Sequence, residues 1–425
     1  MSMTGGFLGG AQDRLLPASI PFRFFLIASV FHVLMWVTLF FGADQLVRYT
    51  GGAGLVLAAI HLATLGVFTM VAIGASYQLL PVVTRRPLAH TWPARLSFWL
   101  MTAGICLLTY GMATAASFPM QSGAVLVVTG LAVFIILTAD NLRQAGSMPV
   151  VSAHGWGALV ALIIFAALGL ILVWDFDAAF LENRNGIAIL HMVLAVFGFM
   201  GLLIGGLCLI LIPMFVLSQS LPNRPGWFQL GLAVVALIGY MAAYVYQSQT
   251  LAWLSIAAGL GASAVYIWQM RKVQKSSMRK RLGLSFVLIR TSWAFLVLGL
   301  MLGGLVMSGI ELAFAPPLFG FFLLAGWLLT FLTGILQRIM PFLASMHASG
   351  SSGLPVMVSE LTAELPLKIH AYCHFSALLL VSVGIVINVA VLVLTGAFLG
   401  AIGAIAFVVF AMNVWIKLRE NQVNG

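Results

Sequence analysis

Charge is scarce in this sequence: 10 acidic and 20 basic residues among 425, 7% in all. Soluble domains carry roughly a quarter of their residues charged, so a water-exposed globular surface of this size is excluded. Only three cysteines are present, with no Cys-x2-Cys pair, which removes a disulfide framework and ribbon-type zinc spacing. A phosphate-cradling Gly-rich loop with Lys-Ser/Thr and a Gly-x-Ser-x-Gly elbow are also missing, so phosphoryl transfer and hydrolase chemistry have no support. The formal charge of +10 does not point to nucleic acid, because the basic residues sit in short connections between apolar runs.

What is present is hydrophobic: 62% of the chain, with 43 glycines. A helix needs about 20 apolar residues to cross a bilayer. Such runs lie near 24–42, 52–82, 95–117, 123–139, 155–174, 186–217, 227–246, 250–270, 283–307, 317–346, 366–394 and 398–416. The sequence therefore predicts an all-α polytopic membrane protein, a single transmembrane domain over 1–425, in contact with the lipid bilayer. No cleavable signal peptide is expected, since the first 20 residues are mixed and the first apolar run is full-length. Two connections are long, 271–282 and 347–365, the second a Gly/Ser segment after His347 followed by Glu360 and Glu364.

Basic residues gather after even-numbered runs: Arg85, Arg86, Arg95, Arg224, Arg271, Lys272, Lys275, Arg279, Lys280 and Arg281. The opposite connections hold Asp44, Asp175, Asp177, Glu182 and Glu311 against Arg48 and Arg184. The positive-inside rule then places both termini in the cytoplasm of a bacterial inner membrane.

A pattern recurs every fourth run. Ile60-His61 leads through Gly74 to Pro81, Leu190-His191 through Gly206 to Pro213, and Leu318 through Gly334 to Pro341. Gly-x6-Pro alone is common, and Gly10–Pro17 and Gly309–Pro316 also fit; the weight lies in its return at the same end of runs 2, 6 and 10. The matched prolines are 132 and 128 residues apart, which predicts three parallel four-helix units, about 20–145, 150–272 and 280–417. Gly198, Gly201, Gly205 and Gly206 in run 6 permit close helix approach.

Intramembrane histidines are the candidate site residues. His61 and His191 precede their prolines by 20 and 22 residues, so they sit at similar depth and can face one interior. Neutral imidazole ligates haem iron and copper, and the competing reading of each is a histidine bonded to a neighbouring carbonyl or hydroxyl. His370 and His374 share a helix face at i, i+4, with Cys373 beside them and Met346 and His347 at similar depth, a set suited to Cu(I) or haem iron. The alternative is a histidine pair exposed to water at a helix end. His32 reads as a packed polar residue, His90 and His154 as solvated loop residues. Arg290 and Arg338 either snorkel to the interface or pair with an anion such as a haem propionate. Cys106 and Cys208 read as small packing residues.

The helix 2 segment from His61 through Thr64, Gly66, Thr69, Gly74 and Tyr77 to Pro81, and the opening Pro21-Phe22-Arg23-Phe24-Phe25-Leu26, resemble the NnrS family and small oxidase-like membrane proteins. Twelve helices in three groups of four, with a histidine on helix 2, resemble subunit I of the haem–copper oxidase superfamily along the whole chain. The resemblance implies a haem ligand at His61 and a copper ligand at His191. It departs in four places: position 195 is Ala where a tyrosine often stands, 227–246 holds no histidine pair, helix 10 has no His-x-His, and His347 lies at the opposite end. A complete oxygen-reducing binuclear centre cannot be assembled from these positions. The expectation is a haem protein, with copper as a second candidate, in electron transfer, nitric oxide handling or metallocentre support beside a redox partner protein. A copper or small-solute transporter and a cofactor-free assembly subunit are the alternatives.

Overall fold

A computed structural model of the protein describes residues 16–84, 90–145, 148–279, 281–348 and 356–423. The segment 1–15, Arg85, Arg86, Lys280 and the Gly/Ser stretch 349–355 lie outside the described residues. The described chain is helical, with no strand, and twelve helices have the length and apolarity of membrane spans. They are α1 Ser19–Phe41, α2 Leu55–Val82, α3 Trp92–Thr114, α4 Ser117–Arg143, α5 Pro149–Ala178, α6 Arg184–Val216, α7 Asn223–Val245, α8 Gln249–Lys275, α9 Leu284–Met307, α10 Ala315–His347, α11 Glu364–Val386 and α12 Ala390–Gln422. Large apolar side chains such as Trp99, Ile136, Val160, Ile238 and Leu254 are exposed on the outer faces, as contact with hydrocarbon requires.

The centre belongs to α2, α6 and α10, each 78% buried along its most apolar stretch, against 17% and 22% for α7 and α8. These three helices share a local architecture. Each contains an eight-residue π-helical segment: Leu62–Thr69, Leu194–Gly201 and Phe322–Leu329. Each segment begins twelve residues before the matched glycine and nineteen before the matched proline. A π-turn is an unusual helix geometry that concentrates at functional sites, so its return three times in one register belongs to the plan of the molecule.

The matched glycines explain the packing. A Cβ at Gly74 would lie 2.8 Å from Phe24 Cβ of α1, at Gly206 2.7 Å from His154 Cβ of α5, and at Gly334 2.9 Å from the Ser285 carbonyl of α9. Eight residues earlier the same thing happens again: Gly66 meets Phe31 at 2.8 Å, Gly198 meets Ala161 at 2.7 Å and Gly326 meets Phe295 at 2.4 Å. Each central helix therefore leans on the helix before it at two glycines, one in the π-segment and one beyond it. The intervening helices form hairpins, α3–α4, α7–α8 and α11–α12. The last span closes on the first, with Trp36 against Gly400 and Phe22 5.3 Å from Trp415.

Several boundaries differ from expectation, and two of them change how the chain is read. The run assigned to 366–394 breaks at Val386, and Asn388 with φ 54° turns the chain into α12 at Ala390. Asn388, a residue that tolerates the left-handed conformation, is the one mark of the turn in an otherwise apolar stretch. Helix α5 opens at Pro149, well before its apolar run, because proline suits the first turn of a helix. His154 is consequently helical and 0% exposed, a correction to its reading as a solvated loop residue, whereas His90 is exposed as expected. The His154 Nδ1 proton goes to the Val150 carbonyl at 2.8 Å, and its Nε2 lies 2.7 Å from the Gln229 side-chain amide. Arg338 is committed to the α8–α9 connection: Nε donates to Ser285 Oγ at 2.7 Å and Nη2 to the Leu282 carbonyl. Arg290 is exposed and donates to Gln274 Oε1 at 2.7 Å.

Candidate functional site

His61 ends the α-helical opening of α2, immediately before its π-segment, and His191 lies three residues before that of α6. In the shared register His61 corresponds to Val193 and Phe321, and His191 to Ala59 and Phe319. The third central helix thus brings aromatic rings where the other two each bring one imidazole. Asn183 starts α6 by accepting from Gly186 N–H at 2.9 Å, a side-chain cap that holds the helix end carrying His191.

The two rings come together, with centres 6.5 Å apart and planes within 22° of parallel. Their protonation is set by geometry. His61 Nδ1 lies 3.0 Å from the Leu57 carbonyl and His191 Nδ1 2.8 Å from the Phe165 carbonyl. A carbonyl only accepts, so each Nδ1 carries the proton and each Nε2 keeps its lone pair. A histidine whose Nδ1–H is tied to a carbonyl is in the tautomer and orientation of a metal ligand. Gly169 of α5 gives the ring its room, since a Cβ on it would lie 3.1 Å from His191 Cε1 and the ring would have to yield by a few tenths of an ångström.

Beside the pair is a cavity of about 780 Å³, within the usual range for small-molecule and cofactor sites. Its walls are overwhelmingly apolar, and the Phe197 and Trp327 rings stack across it at 5.7 Å. Trp327 is 3% exposed and its indole N–H has no acceptor. At one end the cavity meets the α1–α2 connection, the start of α6 and the α9–α10 connection, through Gly51, Arg184 and Met307. Arg184 is held there by Asp175, which also accepts from Leu181 N–H at 2.6 Å. Tyr49, at the same end, donates to the Gly52 carbonyl at 3.1 Å, and burial pushes its phenol up to about 12, so it remains a neutral donor.

The helix 11 histidines are elsewhere. His370 and His374 are 0% and 1% exposed, which overturns their reading as a water-exposed pair at a helix end. They lie in the second and third turns of α11, against α1 and α10: His32 is 5.9 Å from His370, and Thr330 Oγ1 is 2.7 Å from His374 Nε2. Cys373 packs instead against Gly403 of α12. His32, read as a packed polar residue, is 2% exposed and accepts from Trp36 Nε1 at 3.1 Å. Cys208 is buried and accepts from Tyr266 Oη at 3.3 Å, while Cys106 is exposed on α3. Among the described residues no group of three or more His, Cys, Asp or Glu is placed to hold a metal ion.

The residues suit a haem at His61 and His191. With ring centres 6.5 Å apart beside one apolar cavity, His61 and His191 are the residues that would hold the group there. The neutral donors and the apolar volume beside them fit the group. The chain matches no protein-family model and no curated protein.

Proposed function

We propose that the protein is a haem-binding inner-membrane protein of the haem–copper oxidase subunit I type, in which His61 and His191 hold one haem for electron transfer. The observation that carries this reading is the matched pair of Nδ1–carbonyl bonds, which leaves both Nε2 lone pairs available to one cavity. A haem held by His61 and His191 would supply one-electron redox chemistry, and two side-chain nitrogens offered to one cavity favour electron transfer to a redox partner protein. The surrounding groups hold each imidazole through its Nδ1 and exclude water with the Phe197 and Trp327 rings. The basic connections support a bacterial-type inner membrane with both termini in the cytoplasm.

The test is an oxidised and dithionite-reduced optical spectrum of the detergent-purified chain, with haem quantified on the same sample. About one haem per chain is expected; a colourless chain from haem-replete cells would overturn the reading. A second expected result follows from Gly169. Gly169→Ala should push the His191 ring from the Phe165 carbonyl and lower haem content severalfold. Gly231→Ala, where a Cβ meets nothing within 4 Å, should leave it unchanged. The depth of the cavity, which reaches Gln229 and Tyr266, favours one competing reading, a small-solute transporter. A haem-free chain that drives solute uptake in proteoliposomes would establish that reading in its place.

A further inference from the structure

The second histidine group is independent of the cavity pair and has its own protonation logic. Trp36 Nε1 donates to His32 Nε2 at 3.1 Å, so the His32 proton is on Nδ1. Thr330 Oγ1 donates to the Ala325 carbonyl at 2.9 Å, so at 2.7 Å it accepts from His374 Nε2–H. His374 is therefore the tautomer with a bare Nδ1. That Nδ1 and both ring nitrogens of His370 have no hydrogen-bond partner, on rings 1% and 0% exposed and 5.5 Å apart. Unmatched nitrogens at this burial are costly, and two neighbouring imidazoles, their planes within 13° of parallel, each carry a lone pair that nothing in the protein meets.

Charge decides what could meet them. Neither α1 nor α10 contains an Asp or Glu, and those of α11 and α12 are Glu364 and Glu420, near the helix ends. A divalent ion would enter an apolar interior with no anion to balance it. A three- or four-ligand set is also absent among the described residues, which removes the tetrahedral arrangement zinc prefers. A soft monovalent ion brings half the unbalanced charge of a divalent one and accepts two neutral nitrogens without further ligands, and Cu(I) is such an ion.

We propose that His370 and His374 bind one Cu(I) through His374 Nδ1 and a ring nitrogen of His370. Thr330 fixes the His374 tautomer, and His32 and Phe407 wall the site; the Phe407 ring is 5.0 Å from His370 and 6.3 Å from His32. The proposal does not rest on the haem reading, because it shares no ligand with His61 or His191.

The experiment is anaerobic titration of the copper-free, full-length protein in detergent with Cu(I) against bicinchoninate, followed by X-ray absorption of the loaded sample. The expected result is one Cu(I) per chain with nitrogen donors and no sulfur. His370→Gln and His374→Gln should each weaken binding by at least about tenfold, Thr330→Val by a smaller factor. His61→Ala should leave copper binding unchanged. No copper retained by the wild-type chain, sulfur coordination, or equal affinity in both His→Gln chains would overturn the proposal, and so would a loss caused by His61→Ala. Should a His→Gln chain fail to fold, nitrogen-only coordination in both the wild-type and the His61→Ala chain decides for the α11 pair, and its loss in His61→Ala decides against it.

Discussion

Replacing His61 with alanine is expected to abolish the reduced-minus-oxidised haem signal, and His191→Ala to do the same, each lowering haem retention on the order of 100-fold. The expectation comes from the symmetry of the pair. Each ring has a single anchoring bond, to the Leu57 or Phe165 carbonyl, and each offers one nitrogen to the same space. No other histidine lines the cavity to take over a lost ligand. Chemical rescue separates ligation from folding: imidazole supplied during growth should restore haem to the alanine chains, which leave an imidazole-sized void, but not to His61→Phe or His191→Phe, which fill it. Full haem content in both alanine chains would show that the iron is held elsewhere.

The second large effect concerns the scaffold. Gly123→Leu is expected to destabilise the protein by about 3 kcal/mol or more. A Cβ at Gly123 would lie 2.3 Å from Leu108 N, one at Gly111 2.4 Å from Met120 N, and one at Gly104 2.7 Å from Val127 N. All three obstacles are backbone, so no rotamer change can relieve them, and α3 and α4 must separate to admit a side chain. Without a hydrophobic drive between helices in lipid, such close backbone packing is much of what holds a hairpin together. Size-exclusion profiles and thermal midpoints in detergent would show the loss, with Gly231→Leu as the matched control in open space. A Gly123→Leu chain that melts with the wild type would refute the close-packed account of this hairpin.

Much of this molecule is legible in its sequence, for reasons particular residues make plain. The spans are visible because lipid demands long apolar runs, and the repeat is visible because Gly74, Gly206 and Gly334 mark helix crossings that nothing larger fits. The second crossing, at Gly66, Gly198 and Gly326, is less visible in a chain of 43 glycines, and only the contacts with Phe31, Ala161 and Phe295 single it out. The π-segments leave no compositional trace at all, since they differ from α-helix in hydrogen-bond partner and not in residue type. His61 and His191 could be picked from the sequence as a pair, but their tautomers depend on carbonyls at Leu57 and Phe165, one of them on another helix. His154 was hidden by the polar start of α5. For His370 and His374 the sequence leaves ligand pair and water-exposed pair both open, because the burial that α1, α10 and α12 impose on them is a tertiary fact.

The three π-segments also set the phase of the central helices. An α-helix turns about 100° per residue, and a π-turn accommodates one extra residue, so the two ends of α2, α6 and α10 are out of step by about that angle. The histidine end and the proline end of each helix can therefore address different neighbours, as two keys cut on one shank. Because the widened turn takes up its extra residue without added rotation, deleting a single residue such as Ala63 would close it into regular α-helix, with His61 left near His191 and Gly74 still seated on Phe24.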